Sequence, residues 1–185
     1  RIVVLSSLVA LAALLAPSLA AAQSAPLPWS SPDRLRLPAD LAFVAADGGL
    51  AWSPAGAPAP RSIGRPGAGY AFPTFAPGGE RIAAIERQDG RARAVVVTPP
   101  GGADGPAERQ VWFDDPSAPV IYLDWRDDGR ALLLLVGDAA GFTLRVVTPD
   151  GAAQVLAQGA PLFWDQGPGG LVVHVGGPGP ARLVR

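Results

Sequence analysis

Few residues in this chain have the type and spacing that chemistry demands. His174 is its only histidine and lies in the run Leu171-Val172-Val173-His174-Val175, which reads as a strand. A nucleophile–histidine–carboxylate triad needs such a base, yet no Gly-x-Ser-x-Gly elbow accompanies it. Beyond the first 22 residues the serines are Ser24, Ser30, Ser31, Ser53, Ser62 and Ser117, each near Pro, Gly or Ala in a loop-like setting. No catalytic residue is therefore expected. The acidic pairs are Asp114-Asp115 and Asp127-Asp128. A hard cation needs several oxygens converging in one loop, and no Asp-x-Asp-x-Asp-Gly series is present, so neither a metal nor another cofactor is expected. Asp127-Asp128-Gly129 reads as a turn held by Asp side chains. The Gly-rich runs at Gly64–Gly69 and Gly176–Pro180 lack the Gly-Lys-Ser/Thr ending of a phosphate loop and read as connectors. Trp52, Trp112, Phe113, Tyr122, Trp125 and Trp164 are candidates for a ligand-stacking surface, but their repeated strand positions favour packing between sheets.

The elements that position these residues follow from punctuation. Glycine and proline number 23 and 21 among 185 residues, which disfavours long helices and suits short strands joined by turns. Turns of one kind recur at Ser53-Pro54-Ala55-Gly56, Thr98-Pro99-Pro100-Gly101 and Thr148-Pro149-Asp150-Gly151, 45 and then 50 residues apart. A second motif, aromatic–turn–apolar strand, runs from Phe75 to Ile85 and again, 50 residues on, from Trp125 to Leu135, with a weaker copy at Trp164–Val173. Two motifs that keep one step define a repeat of four short strands, the size of a propeller blade. Leu132-Leu133-Leu134-Leu135-Val136 is apolar at every position, as expected of a sheet sandwiched between two neighbours. Gly129 and Gly137 bracket that run too closely for a helix. The predicted fold is all-β: a β-propeller fragment of three to four blades within 41–185, near 41–63, 70–113, 120–158 and 162–185. The first of these supplies the last three strands of its blade. The final segment begins a further blade, so a continuation past Arg185 or pairing with another chain is expected.

The start reads as an address. Arg1 precedes an uncharged stretch to Ala22, broken by Pro17 and ending in Ala20-Ala21-Ala22. A basic start, an apolar middle and small residues before Gln23 predict a secretory signal peptide over 1–22, cleaved after Ala22. The competing assignment is an uncleaved anchor, since the stretch is just long enough to span a bilayer; the Pro ahead of three Ala favours cleavage. No stable membrane span is then expected, and the mature protein would be periplasmic or secreted. Residues 23–40 hold four Pro and two adjacent Ser and read as a linker. There is no cysteine, which excludes disulfides, thiolate metal sites and a lipidated N-terminal Cys. The basic residues are all Arg, interspersed with acids at a net charge of −1, so no nucleic-acid footprint is expected.

The units Phe75–Ile85 and Trp125–Leu135 resemble the TolB-like, or WD-repeat-like, β-propeller repeat: an aromatic residue, a Ser-Pro-Asp-Gly-type turn, then a strand of small and apolar residues. Asp127-Asp128-Gly129 matches the turn, Pro77-Gly78-Gly79 matches it with Gly for Asp, and Trp164-Asp165-Gln166-Gly167 has lost the Pro. The resemblance covers roughly 41–185. It implies a six-bladed family of periplasmic scaffolds and of propeller domains of prolyl-oligopeptidase-like serine peptidases, with no universal catalytic residue. The expected function is protein binding or scaffolding on a cell-envelope protein or peptide. The candidate contact residues are Arg65 and Tyr70 in one rim loop and Asp114, Asp115 and Ser117 in another. The alternatives are the propeller half of a secreted serine peptidase, a propeller enzyme with an axial metal, and a purely structural role.

Overall fold

A computed structural model describes residues 39–101, 105–139, 141–160, 162–176 and 182–184. The expected signal peptide and residues 23–38 of the expected linker lie outside the described residues, as do 177–181 and 185. Every described element is a strand. Sheet 1 contains β1 (Leu41–Val44), β2 (Leu50–Ser53) and β3 (Arg61–Ser62); sheet 2 contains β4 (Gly69–Phe75), β5 (Ile82–Gln88), β6 (Arg91–Thr98) and β7 (Glu108–Phe113). Sheet 3 contains β8 (Val120–Trp125), β9 (Leu132–Asp138), β10 (Gly141–Val147) and β11 (Ala153–Gln158); sheet 4 contains β12 (Leu162–Gly167), β13 (Gly170–Val175) and β14 (Arg182–Val184). Each sheet is an antiparallel meander in chain order.

The sheets pack face to face, one after another, in a propeller-like arrangement. On β5 and β6, Ile82, Ala84, Val95 and Val97 join Leu50, Trp52 and Ile63 of sheet 1 in one core. Ala83, Ile85, Ala94 and Val96 join Leu123, Trp125, Leu132, Leu134 and Val136 of sheet 3 in the next. Leu133 and Leu144 turn the other way, against Leu162 and Val173 of sheet 4. A strand alternates its side chains between faces, so an unbroken apolar run is what two buried faces require. A single barrel or two-layer sandwich would not place the two faces of β5 in separate cores.

Two buried faces leave register unprotected by polarity, because a slip of one residue exchanges one apolar face for another. Turns and bulges fix it instead. Asp89 and Gly90 both have positive φ (53° and 72°) and close a two-residue hairpin between the paired Gln88 and Arg91, the geometry that suits strand twist. A bulge interrupts β6–β7 pairing at Ala94/Val95, and one interrupts β10–β11 pairing at Leu144/Arg145, 50 residues later. The turn before β5, in which Gly79 N–H donates to Ala76 O (2.8 Å), repeats before β9, where Gly129 N–H donates to Arg126 O (2.8 Å). β4 packs on β1 as β8 packs on β5, so β1 holds the place in sheet 1 that β5 holds in sheet 2.

Candidate functional site

The rim loops named from the sequence are built around one buried carboxylate. Glu86 lies on β5 with no exposed surface. Arg109 of β7 grips both its oxygens, with Nε donating to Oε2 at 2.7 Å, and Arg93 of β6 adds a pair at 3.5 Å. Tyr70 Oη donates to Glu86 Oε2 at 2.8 Å and accepts from the Arg65 N–H at 2.7 Å. Burial alone would raise the Glu86 carboxyl. The hydrogen bonds from Arg109 and Tyr70 and the charges of Arg109 and Arg93 outweigh it and hold the group below the usual carboxylate range. Burial raises the Tyr70 phenol, with the Glu86 charge adding to it against the Arg65 hydrogen bond.

The network joins both loops to sheet 2. Arg93 Nε donates to Asp114 Oδ2 and Arg91 to Asp114 Oδ1, each at 2.9 Å. Asp115 accepts from the Ser117 N–H (2.9 Å) and hydroxyl (2.7 Å), which lowers its carboxyl. Tyr70 is thus turned inward, 6 % exposed, while Arg65, Asp114 and Ser117 remain at the surface. This constellation holds loops; it leaves no carboxylate and base paired for proton transfer. His174 is half-buried and stacks on Phe163 with ring centroids 6.3 Å apart. Among the described residues no group of three or more His, Cys, Asp or Glu is placed to hold a metal ion.

The surface best formed for contact lies on the first strands of sheets 2, 3 and 4. Phe72 of β4 meets Tyr122 of β8 edge-on at 5.3 Å, and Tyr122 meets Trp164 of β12 at 5.5 Å. Phe72 and Tyr122 are 49 % and 41 % exposed, and Trp164 is half-buried, so an aromatic stripe crosses three sheets with its first two rings facing solvent. Phe72 has φ +51°, a conformation that costs a non-glycine residue of order 1 kcal/mol or more. Pro73 follows it, cannot donate to the ladder, and β4–β5 pairing breaks between Ala71 and Thr74. The local strain is what carries the Phe72 ring out to Tyr122.

Next to Trp164 the stripe opens into a cleft of about 280 Å³, lined by Phe75, Trp125 and Trp164 and by Asp124, Asp127 and Asp165. Gln166 staples sheet 4 to the turn of sheet 3: its Nε2 donates to Trp125 O (2.6 Å) and its Oε1 accepts from the Asp127 N–H (3.2 Å). Partial burial raises the Asp124 carboxyl, and the nearby Asp127 charge adds to this against the Trp125 N–H bond. Ring faces beside carboxylates attract planar and cationic groups.

No protein-family model matches the chain, and no curated protein matches it either. Of the aromatic residues singled out in the sequence, Trp52, Trp112, Phe113 and Trp125 are buried between sheets, while Tyr122 and Trp164 belong to the stripe. Phe72 escaped that reading. Its only sequence signal is the Phe-Pro pair inside a strand, where a proline marks an irregular edge.

Proposed function

We propose that this chain is an exported β-propeller module of the TolB-like kind, which binds a cell-envelope protein or peptide and performs no chemistry of its own. The aromatic stripe Phe72–Tyr122–Trp164 is its contact surface. The observation that carries this reading is the stripe itself: two sheets spend exposed rings, Phe72 and Tyr122, and one of these is strained, beside the half-buried Trp164 of a third. The leader over 1–22 directs the chain across the membrane, and the loops at Arg65 and at Asp114–Ser117 flank the partner.

The test is a photo-crosslinking amino acid placed at Tyr122 and, as a control, at Val155, which is 54 % exposed on the outer strand β11. Cells making each protein are irradiated and fractionated. Adducts from position 122 alone, on a protein whose N-terminus is Gln23, are expected. A chain retained uncut in the cytoplasm, or adducts equally strong from both positions, would refute the proposal.

A further inference from the structure

The interfaces on either side of sheet 3 are built to one plan, and one of them lacks part of its filling. Between sheets 2 and 3, Arg81 lies over Trp125 (5.0 Å from its guanidinium carbon to the ring centroid) and Trp112 (5.8 Å). Its guanidinium donates to Gly129 O at 2.8 Å. The repeat gives the equivalent places in the next interface. Arg81 closes its turn by accepting from Ala76 N–H; Ala131 does the same from Arg126 N–H. Trp112 is the extra residue of the β6–β7 bulge; Leu156 is that of the β10–β11 bulge. Trp125 lies two residues after Leu123 in the core between sheets 2 and 3; its repeat partner Trp164 lies two residues after Leu162, against the core between sheets 3 and 4. A guanidinium and one indole are thus replaced by methyl and isobutyl, while the second indole is kept. Leu156 lines a cavity of about 380 Å³ between sheets 3 and 4, with Leu133, Val146 and Leu171 as its apolar part and Arg126, Asp127 and Asp128 as its charged part.

We propose that this cavity between sheets 3 and 4 binds the arginine side chain of a peptide. The apolar part matches the apolar stem of an arginine, as the indoles match that of Arg81. Arg126 is ion-paired with Asp128 at 3.5 Å, so the net charge of the charged part is the negative charge of Asp127. An aliphatic side chain would fill the apolar part and leave that carboxylate unanswered; a carboxylate ligand would be repelled by it. The proposal is separate from the aromatic stripe and does not require export.

The experiment follows methyl resonances of Leu133, Leu156 and Leu171 while the full chain is titrated with acetyl-Gly-Arg-Gly-amide. The citrulline peptide, equal in shape and uncharged, is the control. Saturable shifts with arginine and weaker ones with citrulline are expected. A131R/L156W, which rebuilds the preceding interface from within, is expected to abolish the shifts. Asp127→Asn, an exposed substitution that leaves the core intact, is expected to weaken binding by up to roughly five-fold, the ceiling for a solvent-exposed charge pair. Absence of saturation, equal binding of citrulline, or full binding by either variant would overturn the proposal.

Discussion

Arg109→Gln tests the logic of the buried network most directly. Glu86 is fully enclosed and Arg109 is its bidentate partner, with a side chain only 25 % exposed. Removing that partner leaves a buried carboxylate with one hydroxyl donor and Arg93 at 3.5 Å. Breaking a buried pair from one side costs about 3–5 kcal/mol. The partial exposure of Arg109 favours the lower end, about 3 kcal/mol at pH 7, or roughly 6–12 °C in Tm for a domain of this size. The loss must depend on pH. In the native protein the Glu86 carboxyl is held below its unfolded value, so its contribution is present above that value and fades as pH falls through the folded one. In the variant burial is no longer outweighed, the folded value rises above the unfolded one, and acid relieves the penalty. Urea unfolding followed by tryptophan fluorescence should show the gap between native and variant proteins narrowing from pH 7 to about pH 4. A gap below about 1 kcal/mol at pH 7, or one of equal size at both pH values, would refute the assigned role of Glu86.

Phe72→Gly should leave stability within about 1 kcal/mol of the native value, since glycine removes the positive-φ strain while the edge contact with Tyr122 is lost. The same substitution should eliminate crosslinking from position 122; thermal melts and the crosslink assay together check this. Gly129→Ala should cost about 1–2 kcal/mol, because φ is +66° and the added carbon would sit 3.4 Å from Pro77 Cδ, in the turn whose carbonyl receives Arg81. Denaturant midpoints measured beside Gly56→Ala separate the two causes, since Gly56 has φ +72° and open space around it.

Strand content was readable because turn chemistry is local. Asp89-Gly90 and Asp128-Gly129 name their own hairpins, and the Leu132–Val136 run declares two covered faces by its lack of alternation. The site was less readable, for two physical reasons. Glu86 looks like an ordinary polar residue near a strand end; its burial depends on Arg109, 23 residues later and two strands away, and no local pattern reports that pairing. The stripe depends on the place of a strand within its sheet. Tyr122 and Trp125 sit on one strand, yet Trp125 enters the core with Leu123 while Tyr122 emerges with Asp124 on the other face. Composition assigns both rings to packing; alternation along the strand separates them, and only the neighbouring sheet decides which face stays open.

The repeat locates function by its failures. Where sheets 2 and 3 keep the shared plan, they yield a filled interface: an arginine between two indoles and a carbonyl in reach of it. Both candidate contact regions arise where a copy departs from that plan. Pro73 breaks the ladder of β4 and brings Phe72 out, and Leu156, standing where the preceding unit has Trp112, lines the cavity between sheets 3 and 4. Neither departure improves packing: the first stores backbone strain, and the second gives up the dispersion contacts that a filled core would make. A chain that only needed to stack sheets would lose stability by both and gain nothing, so the two regions are where a partner is to be sought.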